Sequence, residues 1–218
     1  PAVPPTVPSM FFRLRYSPFL AQMVVIRRCN LSCGYCSEYD KTSDPVPVEV
    51  LEARLRKLKE LGTFGISLTG GEPTMHPDIA RVISTSRKLR FYRTSMITNG
   101  FFLQPKLIET LNNAGLERVQ LSIDGVEGNE TTQKVLNNLK KRLQWLRDYA
   151  RFEVVISAVI GACPPEEAEQ VISFVRQLGF NARVLLVHDS QGQLKLGKED
   201  LRAFVKLIEK LPRKWPEF

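Results

Sequence analysis

The chain has 218 residues, 43% of them hydrophobic and 25% charged, which is ordinary globular composition and enough to bury one substantial core. Its 31 basic and 23 acidic residues give a formal charge of +8, but the basic side chains are spread along the chain, which argues against a nucleic-acid-binding arm and is compatible with an anionic substrate or an acidic electron donor. No apolar run approaches the roughly 18 residues of a membrane-spanning helix, no secretory pattern opens the chain, and three of the four cysteines fall within eight positions, so a soluble cytoplasmic protein with a metal site is expected rather than a disulfide framework.

Four prolines in the first ten residues predict an extended N-terminal arm, taken here as 1–20, because proline fixes φ and removes a donor. Phe11, Phe12, Leu14, Phe19 and Leu20 then read as packing against the main domain. From residue 21 short β-rich runs alternate with amphipathic stretches. Strands are predicted over 22–27, 65–69, 93–98, 118–123, 153–160 and 183–188, with helices near 47–62, 78–90, 105–115, 130–150, 165–179 and 198–211. Gly62, Gly115 and Gly179 stand where helices should end. The domain is taken as 21–211, and 212–218 as a basic tail that reads as cut from something longer. Six such βα units are too few for a closed eight-unit barrel, and a doubly wound open sheet competes with a partial barrel. In either architecture the chemistry belongs at the C-terminal strand ends.

The first strand runs into Cys29-Asn-Leu-Ser-Cys33-Gly-Tyr-Cys36. Soft thiolates this close suit an iron–sulfur cluster or zinc. A structural zinc site wants four ligands, and no second knuckle exists, so a fourth would have to come from Cys163, His76 or His188. Three cysteines on a cubane leave one iron open to an exogenous molecule. The run Cys29, Cys33, Tyr35, Cys36 resembles the C-x3-C-x-Φ-C signature of the radical S-adenosylmethionine (radical SAM) superfamily.

That resemblance implies a partial (β/α)6 TIM barrel, a [4Fe–4S] cluster on Cys29, Cys33 and Cys36, and S-adenosylmethionine on the open iron. Reductive cleavage of the sulfonium would yield a 5′-deoxyadenosyl radical that removes hydrogen from a substrate or adds to it. Tyr35 would meet the adenine through its side chain or backbone, or simply pack. Gly70-Gly71-Glu72 resembles the family's GGE motif, with Glu72 on the methionyl amino group. Asn99 belongs to a TNG strand ending near cofactor or substrate. Strand alternation puts Ser122 and Asp124 on one face; the resemblance gives Ser122 the methionine and ribose region, and Asp124 a further hydroxyl or the cap of the next turn. Ser157 would touch ribose or bond backbone, His188 would approach adenine or substrate, and His76 would join the site or cap the following helix near Asp78. Cys163 is either substrate-facing or an inert loop thiol.

The series GGEPTMHPD, TNG and SIDG is similar to the branch containing the molybdenum-cofactor and coenzyme PQQ biosynthesis enzymes. It implies a flavodoxin- or ferredoxin-like electron donor and a small-molecule or lipid-precursor substrate. No further cysteines supply auxiliary clusters in this chain, which weighs against a peptide-modifying maturase, the alternative within the enzyme class. The competing class is a non-catalytic zinc- or cluster-binding interaction module on the same scaffold.

Overall fold

The computed structural model describes residues 17–36, 39–187, 193 and 197–214, the last three as backbone. Residues 1–16 of the expected arm, His188 and the end of the tail lie outside the described residues. Strands β1 (Leu20–Ile26), β2 (Gly65–Gly70), β3 (Arg93–Thr98), β4 (Arg118–Ile123), β5 (Glu153–Ile160) and β6 (Asn181–Leu186) alternate with helices. These are α1 (Val48–Glu60), α2 (Ile79–Lys88), α3 (Pro105–Ala114), α4 (Leu136–Tyr149), α5 (Pro165–Gln177) and α6 (Lys198–Lys214), with a 3-10 turn at Pro73–Met75. Among the described residues no helix is long and apolar enough to cross a membrane.

One parallel sheet holds the strands in the order β1-β2-β3-β4-β5-β6. A doubly wound sheet reverses its order at a switch point; a strictly sequential order with right-handed crossovers keeps the helices on one face and curls the sheet toward a barrel. Six strands leave it open, with β1 and β6 as edges, so the partial barrel is the architecture. Met23, Val25, Ile66, Leu68, Met96, Leu121 and Ile156 form the buried layer between sheet and helices. In β3 and β4 buried and half-buried residues alternate strictly, because their inner face borders an open interior and not a second helical layer. Truncating the layer at Leu68, which is fully buried, leaves a cavity; Leu68→Ala should cost about 2–5 kcal/mol, read as a lower urea midpoint at unchanged slope.

The strands β3, β4 and β5 have the predicted limits, and Gly62, Gly115 and Gly179 take positive φ just past their helices. Most other ends move by about one to three residues, the last helix running to Lys214 and so into the expected tail, and three elements start elsewhere than expected. Leu20, assigned to the arm, opens β1. The strand β6 starts two residues early, because parallel pairing with β5 runs from Val155↔Asn181 to Ile160↔Leu186. The helix expected from 130 begins at Leu136. There the Asn129 side chain accepts from the N–H groups of Thr131 (2.8 Å) and Thr132 (2.9 Å), and Thr132 Oγ1 accepts from Lys134 N–H (3.0 Å). Local bonds of this kind give the backbone an alternative to the helix.

Candidate functional site

Beyond β1 the chain forms a lobe closed at its base, where Asp40 N–H donates to Arg27 O (3.0 Å) and Cys29 N–H to Asp40 O (3.1 Å). Lys41 Nζ crosses the lobe to the carbonyls of Cys29 (3.0 Å) and Leu31 (2.7 Å), and Gly34 N–H donates to Thr131 O (2.8 Å) in the segment after β4. The cysteine loop is thereby held from both sides. Cys33 is buried, Cys29 half-buried and Cys36 exposed, and all four cysteines are free thiols. Burial pushes the Cys29 and Cys33 thiols up, so binding a metal group as thiolates must release protons.

Cys29, Cys33 and Cys36 line one cavity of about 330 Å³ at the C-terminal ends of the strands. Thr69, Gly70 and Gly71 border it from β2, Thr98 and Asn99 from β3, Ser122 from β4, and Lys134 from the segment that follows. Among the described residues no three Cys, His, Asp or Glu side chains are gathered tightly enough for a single ion. Three soft donors spread around one cavity fit a polynuclear cluster with an open corner better than a closed zinc tetrahedron. His76 cannot complete such a tetrahedron: Nδ1 accepts from Asp78 N–H (3.1 Å), so Nε2 carries the proton it donates to Val46 O (2.9 Å). Its ring is thus held in the turn before the following helix, whose N-cap residue Asp78 has no side-chain cap bond, so the capping role expected of His76 is not what these bonds provide.

The two glycines at the end of β2, Gly70 within it and Gly71 just past it, are a steric requirement. Gly71 N–H donates to Ile26 O (2.8 Å) and Glu72 N–H to Arg28 O (3.0 Å), which presses this turn against the backbone entering the cysteine loop. A β-carbon at Gly70 would stand 2.0 Å from the Ile26 carbonyl oxygen, and one at Gly71 2.1 Å from that of Arg27. Glu72 is fully buried. Its Oε1 accepts from Thr98 Oγ1 (2.6 Å) and from the N–H (3.0 Å) and hydroxyl of Thr74, and its Oε2 from Asn99 N–H (2.8 Å). Burial raises the carboxyl's pKa, and the bonds from Thr74, Thr98 and Asn99 oppose it. Its side chain lies beneath the cavity and not among the lining residues, where it fixes Asn99. Asn99 Nδ2 then donates to Asn30 Oδ1 (2.8 Å) and stands 3.6 Å from Cys29 Sγ.

Asp124, expected as a hydroxyl partner, is spent inside the protein. Its Oδ2 accepts from Tyr35 Oη and from Thr132 Oγ1, both at 2.6 Å, and its buried Oδ1 faces Lys134 Nζ at 3.7 Å. Lys134 Nζ also lies 4.8 Å from the centroid of the Tyr35 ring. Burial and then Asp124 raise the Tyr35 phenol. With its hydroxyl tied to Asp124, Tyr35 anchors the cysteine loop to β4 and leaves its backbone for any cofactor contact. Removing the anchor while keeping the ring, Tyr35→Phe should destabilise the fold by about 1–3 kcal/mol, seen as a lower urea midpoint.

The remaining candidates divide. Ser122 lines the cavity, whereas Ser157 is fully buried and accepts from Arg183 Nε (2.9 Å). Cys163 packs off the cavity, with Asn129 Nδ2 3.4 Å from its sulfur, and burial pushes its thiol up to about 11. A thiol so raised is mostly protonated and a poor nucleophile near neutral pH. Lys41, Asn30, Thr132 and Lys134 were not singled out in the sequence. Thr132 and Lys134 sat in a stretch misread as helix, and Asn129 was the available signal for a turn.

Residues 23–189 match the sequence pattern of the radical SAM superfamily. The chain is 36% identical over 102 residues to the PqqA peptide cyclase of Gluconobacter oxydans, covering 45% of this chain and 28% of that protein. It is 28% identical over 163 residues to a probable GTP 3′,8-cyclase of Archaeoglobus fulgidus, covering 70% and 53%, and 27% identical over 203 residues to one of Saccharolobus solfataricus, covering 87% and 64%. The chain thus spans less than two thirds of each of these relatives. In fold it resembles Streptococcus suis SuiB bound to S-adenosylmethionine, with TM-score 0.74 at 19% identity over 92% of this chain and 49% of that one. Escherichia coli HemN, a radical SAM coproporphyrinogen III oxidase, gives 0.63 at 15% identity over 94% and 55%. With the matched pattern spanning 23–189, from β1 past the end of β6, this chain belongs to the radical SAM superfamily.

Proposed function

We propose that this chain is the core of a radical SAM enzyme that holds a [4Fe–4S] cluster on Cys29, Cys33 and Cys36 and binds S-adenosylmethionine in the adjoining cavity. The observation that carries the reading is the meeting of three thiols from one loop with the ends of β2, β3 and β4 around a single cavity. When bound, the pair would supply reductive cleavage of the sulfonium to methionine and a 5′-deoxyadenosyl radical that takes hydrogen from a biosynthetic small molecule or lipid precursor.

The chain's own residues do the positioning. Gly70 and Gly71 let the turn after β2 lie against the cysteine loop, and Glu72 holds Asn99, whose amide is directed at Cys29. Ser122 offers a hydroxyl to the bound cofactor from the cavity wall. Tyr35, Asp124, Thr132 and Lys134 tie the loop to β4 and keep Cys33 from water. The exposed Cys36 side is where a flavodoxin- or ferredoxin-like donor would approach. The relatives named as cyclases favour ring closure as the reaction subtype, and the likeness to PqqA peptide cyclase supports a peptide as the second reading of the substrate.

Anaerobic reconstitution with iron and sulfide, followed by dithionite and S-adenosylmethionine, tests the proposal. A brown protein releasing 5′-deoxyadenosine is expected; a colourless, zinc-loaded protein releasing none would make it an interaction module instead.

A further inference from the structure

Among the described residues, the inner face of the sheet carries three arginines around one carboxylate. Strand alternation and register put Arg93, Arg118 and Arg183 on that face with Glu153 as the carboxylate among them. Glu153 is already engaged: Oε2 accepts from Arg118 Nε (2.7 Å) and Arg93 Nη1 (3.1 Å), and Oε1 from Asn181 Nδ2 (3.4 Å). Arg183 has no carboxylate partner among the described residues. Its hydrogen bond runs from Nε to Ser157 Oγ at 2.9 Å. Ser157 is fully buried while Arg183 is exposed, so the guanidinium is fixed through Nε on a side chain that stays accessible.

The position of that fork matters. Ser122↔Ser157 and Ser157↔Arg183 are register partners, so the three form one row across β4, β5 and β6, and Ser122 lines the cavity. With neighbouring strands about 4.8 Å apart, the Arg183 backbone lies about 10 Å from that of Ser122, within the length of a small molecule. Partial burial and then the Arg118 charge lower the pKa of Arg183, an electrostatic penalty that a bound anion would relieve. A purely structural role would be served by an uncharged side chain.

Resting on the function proposed above, we infer that Arg183, set by Ser157 and backed by Arg118, binds an oxyanion of the substrate, a carboxylate or a phosphate. The rest of the molecule would then extend to the cavity bordered by Cys29, Cys33 and Cys36. The guanidinium fork matches such groups in bidentate geometry, and anchoring the far end of a substrate is how an enzyme fixes its reacting carbon.

The test follows the Arg183 Nε–H signal of the 15N-labelled, reconstituted holoenzyme during titration with inorganic pyrophosphate and, separately, succinate. A saturable shift at Arg183 that exposed Arg56 does not share is expected, and the tighter probe tells phosphate from carboxylate. In Arg183→Gln, where that reporter is gone and binding is followed by titration calorimetry alongside the wild type, the affinity should fall about tenfold or more, with Arg183→Lys between the two. No saturable shift with either probe, an equal response at Arg56, or unchanged affinity in Arg183→Gln would overturn the inference. So would displacement of the probe by S-adenosylmethionine, which would give the site to the methionyl carboxylate. The wild-type shift is the deciding readout whether or not the variants fold. Release of 5′-deoxyadenosine is measured on the same preparation. Release without anion binding overturns the inference alone, and no release overturns the function on which it rests.

Discussion

Cys33→Ala is expected to abolish dithionite-dependent release of 5′-deoxyadenosine and to leave the reconstituted protein with little bound iron, whereas Cys163→Ala should retain wild-type iron. The contrast follows from placement. Cys33 is buried against Thr132, beside Asp124 and Lys134, and is the middle of three thiols on the cavity. Two remaining thiolates cannot hold a cubane that needs three protein ligands to keep one corner open. Cys163 faces Asn129 and the Glu127 carbonyl, away from the lining, and its raised pKa keeps it protonated. Iron content, the brown colour of the reconstituted cluster and chromatographic assay of 5′-deoxyadenosine read the outcome. Undiminished release from Cys33→Ala would refute the ligand assignment.

The second large effect is expected at Glu72, whose carboxylate accepts from two hydroxyls and two backbone N–H groups without reaching the cavity. In Glu72→Gln one oxygen becomes an NH2 group. Whichever way the amide turns, it places a donor against a donor: Asn99 N–H on one side, Thr74 N–H on the other. An unsatisfied pair at full burial costs about 2–4 kcal/mol, read by urea denaturation. The same change frees Asn99, which is bonded to Asn30 beside Cys29, so release of 5′-deoxyadenosine should fall about 100-fold. Thr98→Val removes the donor to Glu72 and also the acceptor of Gly100 N–H (3.1 Å), so it should cost about 1–3 kcal/mol, and the double variant should fall short of additivity because both changes act on one network. Full additivity would separate Glu72 from Thr98 and remove the positioning role.

Much of the site was legible because parallel strands all point the same way. Once six βα units are recognised, every motif that ends a strand must lie at one end of the sheet. The cysteine loop, the glycine turn, Asn99 and Ser122 therefore assemble around one cavity as the spacing predicts. Glu72, Asp124 and Ser157 sit at the right strand ends but face other protein groups, and strand alternation cannot tell a side chain that meets a ligand from one that meets a neighbouring loop.

By itself the sequence determined the six alternating units, the limits of β3, β4 and β5, and the C-x3-C-x2-C donor set, because each is encoded in the spacing of residues close along the chain. Only the tertiary structure decided that the strand order is sequential, that Tyr35 is bonded to Asp124 across 89 positions, that Glu72 organises Asn99, and that Arg183 has a serine where a carboxylate would neutralise it. Those outcomes depend on register between strands and on which side chains meet after the sheet curls, and neither has a period that can be read along the chain.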